Sequence, residues 1–132
     1  MYHLDHATQT QDRDRRFTLD STLDLIAIKT GVRNYDLDVC AEELSHVAPD
    51  YYSLERDEDG LALRWYGHVW CNPPWSELYR WTAKCWSEWK RDLPPKTISL
   101  LIPVRSEQPF WQKLVDPYRD QPNSPLRVHL LP

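Results

Sequence analysis

Glycine is scarce in this chain: its 132 residues include three, at 31, 60 and 67. A phosphate cradle of the GxGxxG or Walker type needs closely spaced glycines, because its backbone turns tightly and approaches the ligand. That class of nucleotide site is excluded. Cysteine is scarce too. Cys40, Cys71 and Cys85 are odd in number, form no CxxC pair and stand among scattered histidines, so no zinc site is spelled out. They read as small apolar residues in a reducing cytoplasm. No apolar run approaches the ~20 residues that span a bilayer. The polar, charged start is unlike a secretory signal.

Charge of one sign is unevenly missing. Residues 1–60 hold 6 Lys/Arg and 14 Asp/Glu, a net of −8. Residues 61–132 hold 10 Lys/Arg and 6 Asp/Glu, a net of +4. The overall charge of −4 argues against nucleic acid. A basic half beside an acidic one can still dock a phosphate backbone locally, and the same charges also suit a solvated helix face.

Aromatics are plentiful, with seven Trp and seven Tyr. The most informative of them closes the run Asn72-Pro73-Pro74-Trp75, directly after the apolar Val69-Trp70-Cys71. The Asn side-chain oxygen can accept a hydrogen bond from an exocyclic NH2 group. The prolines lack N–H groups and fix φ, so the backbone there is stiff and presents carbonyls. One such carbonyl can accept the second amino hydrogen. The Trp ring can stack on a heterocycle. Pro-Pro is also ordinary turn punctuation, and Trp75 also reads as a core aromatic. The flanks separate the readings: an apolar strand precedes, the cap candidate Ser76 follows, and a helical pattern comes next.

Residues 1–16 are polar and read as a flexible or weakly ordered lead-in, followed by a single domain over 17–132. Leu23, Ile26 and Ala27 lie at helical spacing after a cap at Asp20 or Ser21, and Gly31 stops that helix. Residues 35–40 alternate as a strand, residues 41–47 suggest a helical turn or two, and residues 50–59 read as irregular. Residues 68–71 form the strand before the motif. Leu78, Trp81, Cys85 and Trp89 repeat as an amphipathic helix over 76–91. The apolar run 97–102 predicts a strand covered on both faces. Residues 107–115 suit a short helix with Pro109 in its first turn, and residues 127–131 a last strand. Strands alternating with helices predict an α/β sandwich with a mainly parallel sheet. Ligands bind at the carboxyl ends of such strands, which places 38–41, 72–75 and 103–106 along one rim.

The ordered set of an early Phe-Thr, Leu-Asp-Val-Cys-Ala, Asp-Gly-Leu, Val-Trp-Cys-Asn-Pro-Pro-Trp-Ser and Leu-Leu-Ile-Pro-Val-Arg resembles the phage and prophage DNA N-6-adenine methyltransferases. The resemblance covers roughly residues 15–131. It implies an abridged Rossmann-like methyltransferase fold, S-adenosylmethionine as cofactor, double-stranded DNA as partner, and a bacterial cytoplasm as the place of work. It implies a flipped adenine held by Asn72 and Pro73, stiffened by Pro74 and stacked on Trp75. It assigns Phe17, Asp38, Cys40, Ala41 and Asp59 to the cofactor pocket, while the basic charge of the second half puts Arg80, Lys84 and Arg105 forward for the nucleic acid. Asp38 reads equally as a strand-end cap, Asp59 as a turn former and Arg105 as a surface ion pair. Larger methyltransferases carry a Phe-x-Gly-x-Gly cofactor loop that is missing here, although the phage family itself tolerates Asp-x-x-Ala there. Some thirty residues separate Cys40 from Asn72, little room for a full strand–helix–strand crossover. Relatives usually continue beyond the final His-Leu-Leu-Pro. The same chemistry suits cytosine N4, an RNA base or a glutamine amide, and a non-catalytic module binding nucleic acid or a host protein is the alternative of another class.

Overall fold

The computed structural model describes residues 18–132. The lead-in and Phe17 lie outside them. Four short parallel strands form one sheet in the order β2-β1-β3-β4, with β1 at Leu37–Ala41, β2 at Asp50–Ser53, β3 at His68–Cys71 and β4 at Thr97–Leu100. The described residues also form three α-helices, α1 at Asp20–Thr30, α2 at Leu78–Trp89 and α3 at Pro109–Leu114. The expected α/β class and parallel sheet are what the chain adopts.

Side chains alternate along a strand, so Leu37, Val39, Val69 and Cys71 share one face. They pack with Trp65 and with Trp81 of α2. Trp70 points the opposite way, onto Leu23 and Ile26 of α1, Tyr35 and Ala48. The central strands are thus covered on both sides, as their near-continuous apolar sequence requires. Each large apolar side chain buried this way contributes ~1.5–3 kcal/mol. A third cluster of Leu78, Phe110, Trp111 and Val115 packs α3 on the start of α2.

Local sequence explains most boundaries. Gly31 adopts φ 81° and donates its N–H to the Ala27 carbonyl, ending α1 as read. Leu19, and neither Asp20 nor Ser21, stands at the cap position. Pro109 opens α3, where a missing N–H costs nothing.

Four expectations are corrected. Residues 41–47 form no helix: Ala41 ends β1, and Glu42 bridges Ser45 in a tight turn. The supposedly irregular 50–59 contains β2, which pairs with β1 through Leu37↔Asp50 and Asp38↔Tyr51. That strand exists by tertiary pairing and is too short to show a period of its own. β4 is not covered on both faces; all four of its residues are half-buried, because β4 is an edge of the sheet. Residues 127–131 form no strand. The connections 42–49 and 54–67 hold no α-helix, so the sheet is abridged on that side.

Candidate active site

Because all four strands are parallel, the ends of β1, β3 and β4 open on one edge of the sheet. Cys71 pairs with Leu100, and the Leu101 N–H continues the ladder to the Cys71 carbonyl at 2.9 Å. The segments that follow β3 and β4 therefore leave the sheet as neighbours.

Asn72 is the first residue beyond β3 and is buried, 7% exposed. Its amide nitrogen donates to the Thr18 hydroxyl at 3.2 Å. Thr18 was not singled out by the sequence, although it directly follows Phe17 in the Phe-Thr pair of the resemblance. With the NH2 end held this way, the acceptor oxygen is the end suited to an amino group.

Pro73 is fully buried, and Pro74 is extended at φ −64°, ψ 141°. Trp75 is 45% exposed at the rim and starts a 3-10 turn, Trp75–Glu77, that feeds α2. Ser76 is therefore not the helix cap; Glu77 takes that position without a side-chain cap bond. The Arg105 guanidinium lies 5.5 Å from the Trp75 ring centroid. The structure thus brings the β3 and β4 motifs together.

Asp38 sits in β1, on the face of Trp70 with which it is paired. Its carboxylate accepts the Val47 N–H at 2.9 Å and the Cys40 N–H at 3.3 Å. The Val47 bond ties the 42–49 connection back onto β1, and the Cys40 bond stays within the strand. Burial pushes the Asp38 pKa up to about 6, and the two backbone donors and His46 offset part of that rise. A bulge separates Asp38 from Ala41. Burial also pushes the Cys71 thiol well above its ordinary range, with Cys85 hydrogen-bonded beside it. That thiol is protonated at neutral pH and offers no nucleophile.

Asp59 is a turn former. Its side chain accepts the Leu61 N–H at 2.9 Å, and its carbonyl accepts those of Ala62 and Leu63. A Cβ on Gly60 would run into the Val39 carbonyl oxygen, so glycine is required where this turn meets β1. The Trp65 indole pins the turn by donating to the Gly60 carbonyl at 2.8 Å.

The other expected DNA contacts divide. Arg80 is exposed and pairs with Glu77 at 2.7 Å. Lys84 is drawn inward, paired with Glu88 at 3.2 Å and lying 5.8 Å from the Trp65 ring centroid. Glu88 also accepts the Trp65 N–H at 2.6 Å and meets Arg91 at 3.1 Å. This buried network is structural, and the sequence signalled it solely as charges flanking an apolar stripe.

A cavity of about 810 Å3 lies elsewhere, between α1, α2, β4 and the last residues, lined by Trp70, Trp86, Trp89 and Trp111. It reaches the rim at Pro103 and Val104, and none of residues 72–75 borders it. Among the described residues no group of three His, Cys, Asp or Glu side chains is placed to hold a metal ion. No described helix is long and apolar enough to cross a membrane.

No curated protein and no solved structure matches this chain. The family model for DNA N-6-adenine-methyltransferase (Dam) matches residues 5–120. On that match, spanning the strand ends, the Asn72 motif and Arg105, the chain belongs to the DNA N-6-adenine-methyltransferase (Dam) family.

Proposed function

We propose that residues 17–132 form one catalytic domain that methylates N6 of an adenine flipped out of double-stranded DNA, with S-adenosylmethionine as donor. The observation that carries this is the pairing of a buried, Thr18-held Asn72 amide with the half-exposed Trp75 ring three residues on. Trp75 stacks on the flipped base. The Asn72 oxygen accepts one amino hydrogen. The Pro73 carbonyl, with two lone pairs, accepts the other alongside any further partner. Both acceptors draw the N–H bonds away from the nitrogen and raise its nucleophilicity, while the rigid strand end orients its lone pair.

The chemistry at β1 fits the donor. Asp38 is a desolvated carboxylate whose charged form burial disfavours, and a cationic ligand relieves that cost. Asp38, Cys40 and Ala41, with Phe17 by resemblance, would hold S-adenosylmethionine. When bound, it supplies an electrophilic methyl group. Arg80 and Arg105 would meet the DNA backbone. We assign this activity to a bacterial cytoplasm and a phage or prophage product, in keeping with the resemblance.

The test is methyl transfer from labelled S-adenosylmethionine to duplex DNA, followed by mass spectrometry of the digested nucleosides. N6-methyladenine from intact protein, and none from Asn72→Ala, supports the reading. Label on cytosine N4, RNA or a glutamine amide would move it to another planar amine. No label on any acceptor, with no cofactor binding by calorimetry, would leave a non-catalytic module.

A further inference from the structure

We propose that Arg105 and the incoming base compete for the Trp75 ring, and that the phosphate beside the base takes the guanidinium over. This rests on the reading of Trp75 as the base platform. Arg105 leaves the sheet next to the Asn72 motif, because β4 pairs with β3 in the register Cys71↔Leu100. Its guanidinium lies 5.5 Å from the Trp75 ring centroid, within cation–π range. The other cations considered for DNA lie off the Trp75 ring: Arg80 pairs with Glu77 on the surface at 2.7 Å, and Lys84 is held by the buried Glu88 at 3.2 Å. Among the described residues no carboxylate forms a salt bridge with Arg105.

A guanidinium on a half-exposed indole is weakly held. A phosphate offers it charge-assisted, bidentate hydrogen bonds, which are stronger. A purine in turn offers the indole a broad stacking partner. Both halves of the exchange run downhill together, so base capture and phosphate contact become one coupled event. Arg105 is thus a positioning residue. It favours a base that arrives with its backbone over a free base.

The exchange predicts opposite effects on two ligands. Adenosine and a duplex oligonucleotide are titrated against wild type, Arg105→Met and Arg105→Lys, with methyl transfer to the same duplex measured in parallel. Arg105→Met should bind adenosine about two- to fivefold more tightly, since the Arg105 guanidinium no longer has to leave the ring. It should bind the duplex more weakly, with the salt slope of log K reduced by about one. Arg105→Lys keeps the charge and should retain that slope. Adenosine binding that is unchanged or weaker in Arg105→Met overturns the exchange, as does loss of the slope in Arg105→Lys. If wild type still methylates DNA in either case, the platform reading stands. Wild type that binds neither ligand and methylates nothing overturns both.

Discussion

The side-chain amide of Asn72 donates to the Thr18 hydroxyl at 3.2 Å, joining the residue after β3 to the segment before α1. Residues 54 positions apart in sequence thus set the orientation of one amide.

Thr18→Val removes the hydroxyl and keeps the side-chain shape. Losing one half-buried hydrogen bond should cost ~1 kcal/mol of stability. Methyl transfer should fall more, by about tenfold, because the acceptor is no longer held in place. Asn72→Ala should cost about a hundredfold or more. Rates and urea midpoints measured together check this; a Thr18→Val enzyme as fast as wild type would show that the bond positions nothing.

Glu88 gathers the Trp65 N–H, Lys84 and Arg91 around one buried carboxylate. Glu88→Ala strands a buried N–H and two partly buried cations. We expect a loss of ~3 kcal/mol in urea unfolding. Glu88→Gln should lose less, since its oxygen still accepts from Trp65. Equal losses for the two variants would mean that the acceptor kept in Glu88→Gln contributes nothing beyond the lost charge.

Gly60 and Gly31 differ in what a methyl group would meet. At Gly60 it strikes the Val39 carbonyl, whereas at Gly31 nothing lies within 4 Å and the cost is the positive φ of 81° alone. Gly31→Ala should destabilise by ~1 kcal/mol. Gly60→Ala should cost ~3 kcal/mol and displace β1 at Val39. Comparable melting temperatures for the two variants would contradict this.

Asp38 links stability to pH in an unusual direction. Burial raises its folded pKa from 3.8 to about 6, so the folded state holds its proton more tightly than the unfolded chain. The associated stability is fully present below about pH 4 and is lost as pH rises through about 6. A rise from 3.8 to about 6 corresponds to ~3 kcal/mol. Asp38→Asn cannot titrate, so the stability difference between wild type and variant should drift against wild type from pH 4 to pH 7. Denaturant unfolding across that range checks it; a constant difference would refute it.

Much of the fold was legible because the signals were local. Gly31 ends α1, Pro109 begins α3, and the stripe of Leu78, Trp81, Cys85 and Trp89 marks α2. β2 was not legible, since Asp50-Tyr51-Tyr52-Ser53 becomes a strand through its partners in β1. Residues 127–131 carried a strand-like pattern, yet they form no ladder with β4. A pattern of side chains does not provide a backbone partner. Lys84 shows the same limit for the site. Its place in sequence suggested the DNA face, whereas the buried carboxylate of Glu88 draws it inward.

The sequence by itself determined the chemistry on offer: an acceptor amide, two prolines and an indole following an apolar strand, with too few glycines for a phosphate cradle. Those properties belong to residue types and their spacing, so no fold is needed to read them. The tertiary structure alone decided which groups meet. It set Thr18 against Asn72, laid Arg105 over Trp75, turned the Asp38 carboxylate onto the Val47 amide, and pressed Gly60 against β1. Each of these contacts joins separate segments through the parallel sheet and its connections, and strand pairing is a relation between segments that neither one encodes alone.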